Sequence, residues 1–153
     1  MVAKSGDALL APSAVAALTR RLLPRAAVVT PNLPEAGVLA GLTVATLDDM
    51  RLAAARIRAL GPRAVLVKGG HLPGDTVTDL LLCDQGEVLF SSPRIVSRHT
   101  HGTGCTLASA IATGIAQGLA VTAAVERARR YVQRAIETAP GLGRGHGPLN
   151  HGH

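Results

Sequence analysis

The sequence predicts an α/β fold in which a mostly parallel sheet is flanked by helices. Helical and strand patterns alternate along the chain, two short apolar runs resemble buried strands, and Gly or Pro residues separate the segments. The 153 residues are 47% hydrophobic and 17% charged, which excludes a disordered chain. Phe90 and Tyr131 are the only aromatic residues, so Ala, Leu and Val must build the core.

Apolar residues at helical spacing, together with residues that start or stop helices, predict five helices. Pro12 suits a first helical position, and Thr46 suits an N-cap because Asp48 and Asp49 follow it in the first turn. A glycine or proline lies within two residues of the end of each predicted helix. The predicted helices cover residues 12–23, 35–40, 46–60, 105–117 and 122–138.

Short apolar runs predict four strands. AAVVT at residues 26–30 and AVLV at 64–67 are expected to be buried parallel strands. VTDLLLC at 77–83 and EVLFSS at 87–92 flank a hairpin signal in which Gly86 is placed for a positive φ. This hairpin predicts an antiparallel part of the sheet.

Charge and cysteine content bound the classes of function. Lys and Arg number 16 against 10 Asp and Glu, but the arginines are spread over predicted helices and no aromatic platform accompanies them. We therefore expect solvated helix faces and no nucleic-acid partner. The two cysteines are too few for a disulfide scaffold, and no long apolar stretch occurs, so we expect a cytoplasmic chain that does not engage a membrane.

The strongest local signal is HGTGCT at residues 101–106, directly before a helix of small residues. Backbone N–H groups at a helix N-terminus can point at one anion, and glycine lets that anion approach closely. Gly102, Thr103 and Gly104 are therefore candidates for an anion hole that stabilises a transferring phosphoryl group. The positive end of a helix favours a thiolate, so Cys105 is a candidate base or nucleophile. A plain Gly-rich turn is the alternative.

Two further groups of polar residues follow the first two predicted strands. Asn32 and Glu35 carry oxygens suited to Mg²⁺ or to a metal-bound water, although an N-cap with Glu35 in the first helical turn is the simpler explanation. Lys68 stands beside Gly69 and Gly70, where its ammonium suits a phosphate oxygen or is a solvated turn residue. Open parallel sheets bind ligands beyond the carboxyl ends of their strands, so we expect all three motifs at one edge of the sheet.

Five segments in order resemble the hydroxymethylpyrimidine/phosphomethylpyrimidine kinases of thiamine biosynthesis, which belong to the ribokinase-like superfamily. The segments are TPNLPEA, VLVKGGH, TDLLL, HGTGCTLASAIA and GHGPLNH. The resemblance implies a doubly wound sheet and ATP- and Mg²⁺-dependent phosphorylation of 4-amino-5-hydroxymethyl-2-methylpyrimidine. The family then phosphorylates the monophosphate to the diphosphate. A pyridoxal kinase is an alternative, because related pyridoxal kinases share the GTGC motif.

The resemblance also implies a role for each candidate residue. Cys105 would be the catalytic base, or at least lie beside the attacking hydroxyl. Lys68 would contact ATP phosphates, Asn32 would serve both ATP and Mg²⁺, and Glu35 would help to organise the metal. The anion hole would consist of Gly102, Thr103 and Gly104.

Members of this family carry a preceding N-terminal region that supplies central strands and most pyrimidine contacts. The start of the present chain, MVAKSGDALL, resembles an internal segment of those members. We therefore expect residues 1–153 to be the C-terminal, nucleotide-binding part of a single ribokinase-like domain, truncated at its N-terminus. A catalytically inactive fragment, or a module that pairs with a polypeptide supplying the missing half, is the alternative. Uncovered sheet edges and the habit of the family favour a homodimer.

Overall fold

The computed structural model describes residues 10–153, and the chain separates into two compact units, one up to Ser92 and one from Pro93 to His153. The first unit contains α1 (Pro12–Ala17), β1 (Val28–Val29), α2 (Leu33–Ala40), α3 (Leu47–Arg58), β2 (Ala64–Val67), β3 (Thr76–Cys83) and β4 (Gly86–Pro93), the last of which reaches the boundary. The second unit contains α4 (Thr103–Ala116) and α5 (Val121–Glu137). None of the helices within residues 10–153 combines the length and the apolar character of a membrane span.

The first helical stretch is regular only over α1. Past Ala17 the chain forms a π-helical turn over Leu18–Leu22 and then a 3-10 turn over Leu23–Arg25. Pro24 accounts for the loss of regular α-helical bonding, because its nitrogen has no hydrogen to donate to the carbonyl four residues earlier. The single helix predicted over residues 12–23 is therefore divided into three helical forms.

The four strands form one sheet in the order β1-β2-β3-β4. β1 and β2 are parallel, whereas β2 and β3 are antiparallel, with Val67 opposite Leu80. The loop of residues 68–75 explains the change of direction, since a parallel partner would need a crossover of about a dozen residues or more. The sheet is mixed, and its parallel part consists of β1 and β2.

The hairpin forms where the sequence predicts it. Asp84 and Gln85 link β3 to β4, and Gly86 has a positive φ of 104°. The Oγ1 of Thr78 and the Oγ of Ser91 lie 3.0 Å apart across the two strands. The turn chemistry and the cross-strand pairing therefore agree on one register.

Each unit has its own apolar core. In the first unit, α2 and α3 pack on β2 and β3, and the side chains of Met50, Ile57, Val65 and Val67 are fully buried. In the second unit α4 packs on α5, and a Cβ at Gly114 would lie 2.9 Å from the Cβ of Ala124. Small residues thus set the close approach of these two helices.

A capping box begins α3 at Thr46. The Thr46 Oγ1 accepts a hydrogen bond from the Asp49 N–H at 3.1 Å, and the Thr46 N–H donates to Asp49 Oδ2 at 2.9 Å. The Thr46 hydroxyl and the Ala45 N–H also donate to Asp49 Oδ2. These bonds, that of the Thr46 side chain first, hold the pKa of Asp49 below its ordinary value of 3.8. The start of α3 follows the signal in the sequence.

Replacing Thr46 by alanine is expected to lower the free energy of unfolding by about 1 kcal/mol, because the Asp49 N–H loses its acceptor and the Asp49 carboxylate loses the hydrogen bond from the Thr46 hydroxyl. Urea denaturation monitored by circular dichroism measures this. The matched control is Thr43→Ala, an exposed threonine just before the cap. Equal effects of the two substitutions would contradict the capping role. The bonds to Asp49 stabilise the fold fully above pH 3.8 and are lost as the pH falls through the lowered pKa, so the difference should shrink in acid.

Candidate active site

Asn32 and Lys68 lie side by side beyond the ends of β1 and β2. They form an isolated parallel bridge, and the Lys68 N–H donates to the carbonyl of Pro31 at 2.9 Å. Both residues follow a buried or half-buried strand of the parallel pair. The structure therefore places these two motifs together at the carboxyl edge of the sheet, as the sequence predicts for them.

Asn32 and Glu35 are joined by a capping box at the start of α2. The Asn32 Oδ1 accepts from the Glu35 N–H, and the Glu35 Oε2 accepts from the Asn32 N–H, both at 2.9 Å. The N-cap explanation is thus correct, and it is compatible with a second role because each acceptor oxygen has a further lone pair. The cap fixes the Glu35 carboxylate relative to Asn32, and the backbone of Asn32 is the bridge partner of Lys68.

These two side chains are the candidate ligands for Mg²⁺. Within residues 10–153 no three or more His, Cys, Asp or Glu side chains cluster as a metal centre of their own. Mg²⁺ at phosphate-transfer sites is commonly bound by one or two carboxylates together with substrate phosphates and water. The Glu35 carboxylate and the Asn32 amide fit this small donor set, provided that a phosphate completes the coordination.

The loop after β2 is held by a buried carboxylate. Asp79 is 6% exposed, and its Oδ1 accepts the N–H of Gly69 at 2.8 Å. Lys68, the residue before Gly69, is half-buried, and its side chain makes no ion pair with the described part of the chain. Sequence reasoning did not single out Asp79; its one signal is a lone acidic residue in the apolar run TDLLL.

The second unit carries the Gly102–Cys105 turn at the start of α4. Gly102 is the N-cap residue with φ 85°, and its carbonyl accepts the N–H and the Oγ1 hydroxyl of Thr106 at 2.9 and 2.8 Å. The N–H of Thr103 donates to the Thr100 carbonyl at 3.4 Å. The N–H groups of Gly104, in the predicted anion hole, and of the adjacent Cys105 have no acceptor within the helix, so they are open donors at its start.

The thiol of Cys105 is exposed and lines an open groove of about 580 Å³ within the second unit. Tyr131 of α5 and His151 of the C-terminal segment line the same groove, and the Tyr131 hydroxyl donates to the His151 carbonyl at 2.9 Å. This volume is in the range of small-molecule sites. Sequence reasoning assigned no role beside Cys105 to Tyr131 or His151, because only the fold brings them to the start of α4.

Comparison with known proteins gives consistent matches. The family described as phosphomethylpyrimidine kinase matches residues 1–150. A hydroxymethylpyrimidine/phosphomethylpyrimidine kinase of Streptomyces coelicolor is 53% identical over 151 residues, which cover 99% of this chain and 56% of that protein. The chain thus spans about half the length of this relative.

Solved structures agree with the sequence matches. The pyridoxal kinase from Staphylococcus aureus in complex with AMP-PCP has a TM-score of 0.91 and 35% identity, covering 99% of this chain and 55% of that one. A phosphomethylpyrimidine kinase from Clostridium difficile has a TM-score of 0.76 and 38% identity, covering 89% and 54%. The predicted ribokinase-like α/β fold is confirmed. With its residues matched almost throughout, the chain belongs to the phosphomethylpyrimidine kinase family.

Proposed function

We propose that this chain is the nucleotide-binding part of an ATP- and Mg²⁺-dependent kinase of thiamine biosynthesis. The substrates are 4-amino-5-hydroxymethyl-2-methylpyrimidine and its monophosphate, which is converted to the diphosphate. The observation that carries this proposal is the start of α4, where an exposed thiol and two N–H groups with no acceptor among residues 10–153 follow a glycine N-cap. Such a terminus suits the negative charge of a transferring phosphoryl group.

The second unit supplies the groups for the transfer itself. The N–H groups of the turn would stabilise charge on the phosphoryl oxygens, and Cys105 would accept the proton of the substrate hydroxyl. The hydroxyl oxygen then bonds to the γ-phosphorus as the bond to the β-phosphate oxygen breaks, and ADP leaves. The anion hole consists of Gly102, Thr103 and Gly104, with the N–H of Cys105 beside it.

The first unit supplies the groups for the nucleotide. The Lys68 ammonium would contact phosphate oxygens of ATP, and Asn32 and Glu35 would hold Mg²⁺ and order the nucleotide. When bound, Mg²⁺ neutralises charge on the phosphates. The support for this assignment is the bridge between Asn32 and Lys68 and the capping box that fixes the Glu35 carboxylate.

The test is a chimera, called here the joined kinase. It places the part of the Streptomyces coelicolor relative that this chain does not match in front of this chain. We expect the joined kinase to form both pyrimidine phosphates from ATP, measured by mass spectrometry of the products. The same assay on the chain alone, and on a mixture of the two separate parts, distinguishes an inactive fragment from a partner-dependent module.

A pyridoxal kinase is the second candidate, because the Staphylococcus aureus pyridoxal kinase has the TM-score of 0.91. The segments TPNLPEA and GHGPLNH favour the pyrimidine substrate. Assays of the joined kinase with pyridoxal and with the hydroxymethylpyrimidine at equal concentrations decide between them. Turnover of pyridoxal equal to or faster than that of the pyrimidine would make pyridoxal kinase the preferred function.

Two further properties belong to this proposal. The thiols of Cys83 and Cys105 are free, which favours a cytoplasmic setting, to be checked by fractionation of cells with an antibody to the chain. The edge strand β4 has eight residues and pairs on one side with β3 among the described residues, and an open edge of this length favours a homodimer. Light scattering after size-exclusion chromatography measures the mass of the assembly.

A further inference from the structure

Asp79 is the one charged or polar residue that is buried among residues 10–153. It lies in β3 directly before Leu80 and Leu81, which are 1% and 0% exposed. A carboxylate in apolar surroundings costs free energy unless hydrogen bonds compensate for the lost water. A residue of this kind in a strand of leucines therefore points to a specific role.

One hydrogen bond of Asp79 joins it to the loop that carries Lys68. Its Oδ1 accepts the Gly69 N–H at 2.8 Å, and Gly69 itself is buried. A Cβ at Gly69 would also lie 1.9 Å from the carbonyl oxygen of Thr78, the residue before Asp79 in β3. The backbone at Gly69 is thus confined by a side chain and by a neighbouring strand.

Lys68 is confined from the opposite direction as well. Its N–H donates to the Pro31 carbonyl at 2.9 Å, and its backbone forms the parallel β-bridge with Asn32. The register that pairs Val67 with Leu80, continued by one residue, brings Lys68 opposite Asp79. Contacts to both neighbouring strands therefore fix the backbone of Lys68 at the point where β2 ends.

We infer that Asp79 is a positioning residue for nucleotide binding. By accepting the Gly69 N–H it fixes the backbone after Lys68, and so the position from which the Lys68 ammonium reaches a nucleotide phosphate. This inference rests on the proposed function, in which Lys68 contacts ATP phosphates. The part of Asp79 that matters is the acceptor oxygen, which asparagine also has.

A purely structural role and a positioning role have different consequences. If Asp79 only stabilises the fold, its replacement affects nucleotide affinity equally with and without the Lys68 ammonium. If Asp79 acts through Lys68, the effect on affinity disappears once Lys68 is replaced, because interacting residues are not additive. A double-mutant cycle separates the two.

The experiment uses the 153-residue chain with the substitutions Asp79→Ala, Asp79→Asn, Lys68→Ala and the double Asp79→Ala/Lys68→Ala. Calorimetry gives the Kd for AMP-PCP with Mg²⁺, and hydrogen exchange by NMR gives the protection of the Gly69 amide. Circular dichroism defines a temperature at which every variant is folded. The control is Asp75→Ala, an exposed aspartate of the same loop, which is expected to change neither quantity.

We expect Asp79→Ala to raise the Kd about tenfold and to remove the protection of the Gly69 amide. Asp79→Asn is expected to stay within about threefold of the unsubstituted chain and to keep the protection, because its amide oxygen still accepts the bond. In the Lys68→Ala background, Asp79→Ala should change the Kd by less than about twofold.

An equal effect of Asp79→Ala in both backgrounds, or an Asp79→Asn variant as weak as Asp79→Ala, would overturn the inference. If Asp79→Ala does not fold, the comparison of Asp79→Asn with the unsubstituted chain still decides whether the acceptor oxygen suffices. No binding of AMP-PCP to the unsubstituted chain would instead contradict the nucleotide role proposed for it. Hydrogen exchange then tests only whether the hydrogen bond from the Gly69 N–H to Asp79 fixes the loop. Protection of the Gly69 amide that survives in Asp79→Ala would overturn the inference.

Discussion

Replacing Cys105 by alanine in the joined kinase is expected to lower kcat about a hundredfold or more, while the Kd for ATP stays within about threefold. The thiol lies in the first turn of α4, is exposed and lines the groove of the second unit. Loss of a general base slows proton removal from the substrate hydroxyl, whereas the backbone N–H groups that meet the phosphates remain. Steady-state kinetics and calorimetry with AMP-PCP measure the two quantities.

The other cysteine provides a matched control. Cys83 is buried in the hairpin, where its Sγ donates to Gln85 Oε1 at 3.0 Å, so Cys83→Ala should affect stability and leave kcat unchanged. A Cys105→Ala variant that loses ATP affinity but still turns over bound substrate at the original rate would show that the thiol is not the base.

The substitution Gly69→Ala is expected to lower the free energy of unfolding by about 3 kcal/mol. A Cβ at this position would lie 1.9 Å from the carbonyl oxygen of Thr78, and a backbone oxygen within a sheet cannot move aside without breaking strand pairing. The same change would push Gly69 away from Asp79, so AMP-PCP binding should weaken as well. Urea denaturation of the 153-residue chain measures the loss of stability.

The next residue is the natural control for this experiment. At Gly70 no atom lies within 4 Å of the position that a Cβ would occupy, and φ is not positive, so Gly70→Ala should change stability by less than about 0.5 kcal/mol. If both variants are equally stable, β3 must be able to shift away from Gly69, and the confinement of the Lys68 loop would be weaker than the structure implies.

Much of the fold was predictable where the signals are local. The helix expected over residues 46–60 begins after its Thr46 cap and covers Leu47–Arg58, and the strand expected over 64–67 has those bounds. Caps and short apolar runs depend on neighbours within four residues, so sequence shows them directly. The break of the first helix into π and 3-10 turns was missed, although Pro24 is a visible reason for it.

The sequence predicts the residues of the candidate site better than it predicts the contacts that hold them in place. Lys68 and Asn32 were singled out because each follows a predicted strand, and the structure places them side by side. The Asp79 contact spans ten residues and depends on strand register, which no local pattern specifies. Tyr131 and His151 reach the groove of Cys105 through the packing of α5 and the C-terminal segment.

By itself the sequence determined the order of the elements, the family and the motifs that follow the strands, because these depend on local chemistry. Only the tertiary structure decided how the motifs are supported. The sequence does not distinguish the two glycines after Lys68. The pairing of β2 with β3 places the Thr78 carbonyl against Gly69, whereas the position that a Cβ would occupy at Gly70 has space around it. Contacts between distant segments make one glycine indispensable and the other replaceable, and such contacts exist only in the folded chain.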